Sequence, residues 1–410
     1  MINLLRRPLL LASTALLAGC APGTAPPSGQ LFGYQLPGRF EVVGRGPVTD
    51  THTSDLWVFT GVDGRDYAYT GTWGACPGCF GDRMYAWDVT DPSDPVLTDS
   101  VMVDARRVND VKVNAAGTVA VITREGASSR RNGLVVLDLS DPAHPEIASN
   151  YFETLTGGVH NTFIEGELVY AVHNGTADVH IIDISDPENP EEVGRWGLPV
   201  RDGKYLHDVW VEDGFAYLSY WDDGLVILDV GDGLAGGAPT EPQLVSQYSY
   251  QTQWQGQSYG NTHVAFPYTN QAGRKYVFVG DEIFPAEWDP LAKVVPGGYV
   301  HVIDVSDPES PIEVAWYEVP GAGVHNLWAE DDLLYTAYYN AGLRVVDVSG
   351  ELQGDLRAQG RELAVLATSD EDAFMDDAPF AWGPQLFQGL MFVSDFNSGL
   401  WVTRAVLPER

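Results

Sequence analysis

Residues 179–187 read Val-His-Ile-Ile-Asp-Ile-Ser-Asp-Pro, and versions of this phrase recur along the chain. Its β-branched residues favour a strand, and Ser-Asp-Pro is typical of a tight turn. The phrase therefore predicts a short strand that runs into a turn. Its copies begin at Met84, Gly133, Val179, Gly224, Val300 and Gly342, and a degenerate copy begins at Gly399.

The spacing of the copies predicts the architecture. Each copy carries one shared aspartate, at Asp88, Asp138, Asp183, Asp229, Asp304 and Asp347. The intervals between them are 43 to 50 residues, apart from one of 75 residues, and a four-stranded propeller blade has this length. Short apolar runs between Asp-Gly and Ser-Asp-Pro turns supply the hairpins of each blade. We expect the shared aspartates to accept turn hydrogen bonds and to have no catalytic role.

The sequence thus predicts an all-β fold, a β-propeller of about seven four-stranded blades in a single domain over residues 39–410. The last unit supplies only three strands. Residues 40–45, Phe-Glu-Val-Val-Gly-Arg, resemble an outer strand of another unit. We therefore expect this N-terminal strand to close the ring, which would leave no full-length strand edge unpaired.

The recurring phrase resembles the LVIVD repeat of bacterial surface proteins, and the resemblance extends over roughly residues 40 to 405. It is carried by the form Val-Ile-Asp-Val-Ser-Asp-Pro. What the resemblance implies is a β-propeller, with no particular activity attached.

The N-terminus predicts export. Arg6 and Arg7 precede an apolar run, as in a secretory signal, and Leu-Ala-Gly-Cys ending at Cys20 is similar to a bacterial lipobox. We expect residues 1–20 to be a lipoprotein signal peptide, Cys20 to be lipidated, and residues 21–38 to form a flexible tether. The protein would then be anchored in the cell envelope through its lipid, although a simple secretory signal cut elsewhere is the alternative.

The composition restricts the partners. The chain has 410 residues, is 44% hydrophobic, and has a formal net charge of −34. A surface of this charge repels nucleic acid, so we expect no nucleic-acid partner. No other stretch reaches the length of a membrane-spanning helix.

Two cysteines, Cys76 and Cys79, lie in a Gly-rich stretch, Ala-Cys-Pro-Gly-Cys-Phe. In an oxidising compartment such a pair more often forms a local disulfide than a metal site, because zinc would need two further ligands. We therefore expect a disulfide and no redox role.

Histidines recur where the innermost strands begin. In a propeller these starts surround the central channel at one face, which is the usual ligand site. Four units begin with His160, His207, Thr262-His263 and His325. Relative to the other three histidines, His263 is shifted by one residue within its unit. The remaining units begin near Asp55, Asn109 and Asp377.

Two interpretations of these histidines stay open. The imidazoles of His160, His207, His263 and His325 could bind one transition metal ion on the axis, with Asp281 and Glu282 as further ligands or orienting groups. Their nitrogens would then converge within about five ångströms of one point. Alternatively they repeat because the units were duplicated, and they splay apart or bond to backbone.

Other side chains are expected at the same rim, where aromatic and polar groups suit a glycan, a peptide or a small ligand. Two insertions, residues 71–82 and residues 283–298 with Trp288, extend this surface. The rim candidates are Trp73, His173, Tyr220, Trp221, Asp281, Glu282, Tyr338, Tyr339, Asn340, Asp395, Phe396 and Asn397.

The sequence identifies no catalytic residue, because it contains no nucleophile elbow, zinc-protease motif or phosphate loop. We expect an envelope-anchored binding or scaffold protein whose rim holds a protein or carbohydrate partner at the cell surface. The alternatives are a metal-dependent oxidase, oxygenase or hydrolase that uses the histidines, with a divalent transition metal as cofactor, and a structural surface protein without a defined ligand.

Overall fold

The structure is a computed structural model that describes residues 31–74, 76, 78–285, 289 and 291–409. The regular secondary structure of the described residues is almost entirely β-strand. Its strands in chain order are β1 (Arg39–Pro47), β2 (His52–Thr60), β3 (Asp66–Trp73), β4 (Arg83–Asp88), β5 (Val96–Met102), β6 (Val111–Val113), β7 (Val119–Arg124), β8 (Gly133–Asp138), β9 (Glu146–Tyr151), β10 (Val159–Glu165), β11 (Leu168–His173), β12 (Asp178–Asp183), β13 (Glu191–Trp196), β14 (Leu206–Glu212), β15 (Phe215–Tyr220), β16 (Gly224–Asp229), β17 (Gln243–Tyr248), β18 (Thr252–Trp254), β19 (Gln257–Tyr259), β20 (Thr262–Thr269), β21 (Lys275–Asp281), β22 (Val300–Asp304), β23 (Ile312–Tyr317), β24 (Leu327–Glu330), β25 (Leu333–Ala337), β26 (Leu343–Asp347), β27 (Gly354–Asp355), β28 (Glu362–Leu366), β29 (Ala381–Phe387), β30 (Leu390–Asp395) and β31 (Gly399–Val406).

Seven antiparallel sheets form the blades, which confirms the predicted propeller. From the inner to the outer strand, blade one is β2-β3-β4-β5, blade two β6-β7-β8-β9, blade three β10-β11-β12-β13 and blade four β14-β15-β16-β17. Blade five is β20-β21-β22-β23 with β27 added in parallel at its edge, blade six is β24-β25-β26-β28, and blade seven is β29-β30-β31-β1.

Blade seven confirms the predicted closure by the N-terminal strand. Strand β1 pairs antiparallel with β31 over its whole length, from Arg39 opposite Val406 to Pro47 opposite Gly399. The first and last parts of the chain therefore share one sheet. This pairing satisfies the backbone groups that an open ring would leave exposed at a sheet edge.

Among its described residues, the interval of 75 residues contains no additional blade. It holds the two-stranded hairpin of β18 and β19, which follows blade four, and the insertion that follows β21 in blade five. Trp288 of that insertion lies outside the described residues.

The shared aspartates serve the turns, as predicted. The backbone N–H of Ser185 donates to Asp183 at 2.8 Å, and Ser306 donates to Asp304 at the same distance. Asp229 accepts from several N–H groups, beginning with Gly231, and these bonds lower its pKa to about 2 although burial opposes them. A carboxylate that accepts several N–H bonds stays charged and holds its turn closed.

The described part of the predicted tether is packed against blade six, so the expectation of a flexible segment is wrong for residues 31–38. Leu31 is only 5% exposed, and its carbonyl accepts a hydrogen bond of 2.7 Å from the buried guanidinium of Arg344. The Tyr34 hydroxyl donates to Glu362. A buried guanidinium requires acceptors, and this segment supplies one of them. The predicted signal peptide, Cys20 and the rest of the tether lie outside the described residues.

Among the described residues, no helix is both long and apolar enough to cross a membrane.

Candidate metal centre at the channel rim

The histidines take their positions from β-bulges at the start of the inner strands. In blade four, Leu206 pairs with Tyr220 and Asp208 with Ser219, so His207 is left without a partner residue. In blade five, Thr262 pairs with Asp281 and Val264 with Gly280, so His263 is left in the same way. The two histidines are therefore equivalent, and the predicted one-residue shift of His263 is wrong.

Blade seven also corrects the sequence analysis. Its inner strand begins at Ala381, and the exposed Asp376 and Asp377 precede it instead of opening it. Ala381 pairs with Asp395 and Gly383 with Ser394, so Trp382 occupies the bulge position. The seven equivalent rim positions are Ser54, Asn109, His160, His207, His263, His325 and Trp382.

The four imidazoles form a continuous arc. The ring centroids of His160 and His207 are 4.6 Å apart, those of His207 and His263 are 4.1 Å apart, and those of His263 and His325 are also 4.1 Å apart. His207, His263 and His325 are buried. Successive blades thus bring the imidazoles into direct contact. Two adjacent cationic rings would repel each other, so this arrangement disfavours protonation of neighbouring rings.

Two of the imidazoles have a defined tautomer. Nδ1 of His207 lies 3.0 Å from the carbonyl oxygen of His263, and Nδ1 of His325 lies 2.7 Å from that of Trp382. A carbonyl only accepts, so both Nδ1 atoms donate. Burial lowers the pKa of His325 to about 3 and that of His207 well below its ordinary value, so both rings are neutral. Each ring therefore presents an unprotonated Nε2, as metal-bound histidines commonly do.

His263 has unmet hydrogen-bonding capacity beside a carboxyl group. Both of its ring nitrogens are buried, and neither makes a hydrogen bond to any described residue. Its Nε2 lies 3.9 Å from Oε1 of Glu282. One ligand atom each from His207, His263 and Glu282 lies within 4.8 Å of the other two. The two candidate histidines and the candidate carboxylate therefore converge, with no protein partner for the central imidazole.

Glu282 is itself held in place. It is only 14% exposed through its side chain, and the phenol of Tyr339 donates a hydrogen bond to its Oε1. Burial raises the pKa of Glu282 to about 7, while the bond from Tyr339 acts in the opposite direction. An ion bound beside it would favour the charged form, because opposite charge stabilises a buried carboxylate.

His160 differs from the other three. Its Nδ1 donates to Oε1 of Glu125 at 2.7 Å, and Asn174 also donates to this carboxylate. Burial opposes a charge on His160, but Glu125 outweighs burial and raises its pKa. Burial likewise opposes the charge of Glu125, yet His160 and Arg107 lower its pKa to about 2. His160 therefore flanks the converging group as one member of an ion pair.

Known proteins support the repeat and the fold. The LVIVD repeat model matches five regions of the chain, which are residues 129–153, 157–197, 203–250, 294–319 and 322–351. These five regions of the chain carry LVIVD repeats.

No curated protein matches the LVIVD-repeat chain. Among solved structures it is similar to the β-propeller domain of Cps50 (Swd1) from Myceliophteria thermophila, with a TM-score of 0.55 and 9% sequence identity. The match covers 90% of this chain and 99% of that one. At this identity the likeness supports the propeller fold alone.

The channel of the LVIVD-repeat propeller is filled beneath the rim. The ammonium of Lys112 bonds to Asp110 and lies 3.5 Å from Asp55. Burial raises the pKa of Asp110 to about 7, and Lys112 opposes this shift. Trp57, Trp210 and Trp328 pack against one another beyond this layer, around a cavity of about 40 Å³. That volume holds only a few water molecules, so the channel beneath the histidines has no room for a larger ligand.

Most of the other predicted rim residues are buried and bond within the blades, so they offer no exposed binding face. His173 contacts Thr176, and the hydroxyls of Tyr220 and Tyr338 each donate to a backbone carbonyl. Asp281 accepts a hydrogen bond from Tyr250. Asp395 accepts from the N–H of Asn397 and so closes a turn. Their hydrogen-bonding groups need these partners because water does not reach them.

Four predicted rim residues lie nearer the histidines or stay accessible. Trp73 packs under the guanidinium of Arg107 at 4.1 Å, and Trp221 packs against His207 at 5.4 Å between centroids. Phe396 stacks on Trp382 at 4.8 Å. Trp221 and Asn340 are partly exposed.

Sequence reasoning missed three residues of this region. Glu125 follows the second strand of its blade, as Glu282 does in blade five, so a comparison of equivalent positions in the repeats could have identified it. Trp382 was hidden because its unit lacks the histidine. His52 carried no signal because it opens β2 two residues before the rim position.

Proposed function

We propose that this protein is an exported, metal-dependent enzyme that binds one transition metal ion at the channel rim. The ligands are His207, His263 and Glu282, and His325 adjoins them. The observation that carries the proposal is His263, whose two buried ring nitrogens have no partner although a carboxyl oxygen lies 3.9 Å away.

A purely structural histidine would have a hydrogen-bond partner. Leaving a buried polar group unpaired costs about 1 to 3 kcal/mol, so such groups are rarely kept without a reason. His207 and His325 do bond to backbone, which is the outcome expected of structural histidines, but they do so through Nδ1 alone. A ligating histidine makes the same bond with its second nitrogen. His263 therefore distinguishes the two interpretations and favours the metal.

The donor set indicates the class of ion. Imidazole suits Zn, Cu, Fe and Ni, and a mixed imidazole and carboxylate set is common in catalytic sites that keep open positions. Such an ion can polarise a substrate or activate water or dioxygen. Tyr339, whose hydroxyl donates to Glu282, holds a proton beside such an ion. The proposal therefore covers hydrolytic and oxidative reactions.

A site for a protein or carbohydrate partner has less support than the metal. The rim residues that suit such a partner are mostly buried, and Trp221, Glu282 and Asn340 are the partly exposed ones among the described candidates. We retain the proposal of a lipid anchor in the cell envelope, because the signal-like residues 1–20 end in the lipobox cysteine Cys20.

Elemental analysis tests the proposal. The purified protein is offered Zn, Cu, Fe or Mn, freed of loose ions and analysed beside His263→Gln and His207→Ala. His144→Ala is the matched control, because His144 is exposed and lies away from the rim. We expect close to one ion per wild-type chain and per control chain, and a loss of most of that ion in both rim variants, with unchanged circular dichroism. A wild-type protein that retains no ion, or rim variants that retain it fully, would overturn the proposal.

A further inference from the structure

A second group of potential ligands lies in blade one and shares no residue with the rim centre. Cys76 and Cys79 stand in the loop between β3 and β4, and His52 is the first residue of β2. One atom each from His52, Cys76 and Cys79 lies within 4.8 Å of the other two. The two cysteines are joined by a disulfide, and their Cα atoms are 5.2 Å apart.

His52 is fully buried. Its exposed fraction is 0%, and neither of its ring nitrogens makes a hydrogen bond of normal geometry with the described residues. The ring stacks on Phe396 at 3.8 Å and meets the edge of Phe374 at 4.7 Å. Burial lowers its pKa to about 4, against the influence of the Phe396 backbone and the Asn397 side chain. His52 is therefore a neutral imidazole with a lone pair, held rigidly beside two sulfur atoms.

The loop that carries the cysteines is anchored at its base. The N–H of Gly74 donates to the carbonyl of Arg106, and a Cβ on Gly81 would lie 2.1 Å from that same oxygen. The backbone N–H of Cys79 donates to the carbonyl of Cys76 at 3.1 Å. These contacts do not involve the sulfur atoms, so opening the disulfide leaves the cysteines close to His52.

Two thiolates and one imidazole form a soft donor set. Thiolates select Cu(I) and Zn(II) over harder cations. Metal–ligand distances of about 2.3 Å to sulfur and about 2.0 Å to nitrogen are compatible with three ligand atoms that lie within 4.8 Å of one another. Zn(II) prefers four protein ligands in structural sites, and the described residues supply three. The set therefore favours Cu(I).

We propose that His52, Cys76 and Cys79 form a redox-gated site for one Cu(I) ion. A dithiol reductant transfers two electrons and two protons to the disulfide, becomes a disulfide itself and leaves two thiols on the protein. Binding of Cu(I) by both sulfur atoms and one nitrogen of His52 then releases the two thiol protons. Exchange with a small-molecule disulfide, which accepts the two electrons and takes up two protons to become a dithiol, re-forms the Cys76–Cys79 bond, removes both thiolates and releases the Cu(I) ion.

The test compares the oxidised protein with the reduced protein. The purified protein is reduced with a phosphine, desalted without oxygen and titrated with Cu(I) against a chromophoric Cu(I) chelator. We expect reduced protein to take up one more tightly bound equivalent than oxidised protein, and Cys76→Ser/Cys79→Ser to show no difference between the two conditions. Equal uptake by reduced and oxidised wild-type protein would overturn the proposal.

The role of His52 is tested separately. We expect His52→Gln to bind the extra Cu(I) at least about tenfold more weakly, since even outer partners of a metal contribute that much. X-ray absorption at the copper edge of the reduced wild-type protein should show two sulfur neighbours and one nitrogen. This measurement tests His52 as a ligand even if the His52→Gln variant fails to fold. A site with sulfur neighbours alone would refute the assignment of His52.

The proposed Cu(I) site is independent of the rim centre. His207→Ala should keep the additional Cu(I) equivalent of the reduced protein, because it changes none of the three ligands. If the rim binds no metal, the difference between reduced and oxidised protein is still expected, and an uptake that disappears in His207→Ala would contradict the proposed site.

Discussion

Nε2 of His263 and Oε1 of Glu282 lie 3.9 Å apart at the channel rim, and no group of the described residues makes a hydrogen bond to this imidazole. His263 opens the inner strand of blade five, and Glu282 follows the second strand of the same blade. The bulge at His263 and the end of β21 bring them to one face of the sheet. One repeat thus contributes both a nitrogen and an oxygen donor.

Glu282→Gln should weaken metal binding at the rim by about tenfold or more, because the amide keeps the shape of the side chain and removes its charge. Competition with a chelator of known affinity measures the change. Glu351→Gln is the control, since Glu351 is 77% exposed through its side chain on the outside of the molecule. An affinity of Glu282→Gln equal to that of the control would exclude Glu282 as a ligand.

The stability of the protein should fall above neutral pH because of His301. Its ring lies 2.9 Å from Asp281 and 2.8 Å from Glu313. Burial opposes its charge, but these carboxylates raise its pKa from 6.5 to about 9. A raised pKa stabilises the folded state fully below about pH 6.5, and this contribution is lost as the pH rises through 9.

The contribution of His301 amounts to at most about 3 kcal/mol, from about 1.4 kcal/mol per unit of pKa shift. Denaturant unfolding at pH 6 to 10 should show wild type losing stability above pH 7. His301→Gln should be less stable at pH 6 and should show a smaller loss. His144→Gln, at an exposed position, serves as the control. A variant with the pH profile of wild type would contradict this assignment.

Gly383→Ala should destabilise the channel. A Cβ at this position would lie 2.0 Å from Oδ1 of Asp55, whose other oxygen accepts a hydrogen bond of 3.1 Å from Asn326. We expect a loss of about 1 to 3 kcal/mol in the free energy of unfolding, from overpacking and the displaced hydrogen bond. The loss should shrink when Asp55→Ala is also present, and strictly additive effects would show that the two residues do not clash.

Arg344→Met should loosen the segment at residues 31–38. The guanidinium is buried and bonds to Glu362, Tyr34 and the carbonyl of Leu31. Its removal leaves Glu362 buried with less compensation, which costs about 3 to 5 kcal/mol. Tyr34→Phe removes one hydrogen bond to Glu362 and should cost only about 1 kcal/mol.

Limited proteolysis provides a second measurement for Arg344→Met. Cleavage within residues 31–38 should become faster in this variant than in Tyr34→Phe and wild type, since the segment loses its anchor. If cleavage there is equally slow in all three proteins, then Arg344 does not hold the segment.

The blades could be predicted because their signals are local. Strand alternation, turn residues and the repeated Ser-Asp-Pro each depend on neighbours within a few residues. Ring closure was also predictable, because the last unit lacked one strand and residues 40–45 resembled it. The four histidines were correctly assigned to the inner strands of blades three to six for the same reason.

The register of the inner strands could not be predicted. A bulge adds one residue to a strand without a characteristic side chain, so the sequence did not show that His263 is equivalent to His207. The burial of rim residues such as Tyr338 and Asp395 was also hidden, because it depends on loops and blades that pack over them. For this reason the sequence did not show which candidate rim residues stay exposed.

The sequence by itself determined the repeating unit, the number of blades and the strand that closes the ring, since these follow from short-range chemistry repeated along the chain. Only the tertiary structure decided which side chains meet. Asp55 bonds to Asn326 across 271 positions, and His52 meets Cys76 and Cys79 beside Phe396 of the last blade. Such contacts arise because closure of the ring brings distant parts of the chain to one axis, and no local pattern encodes the distances between them.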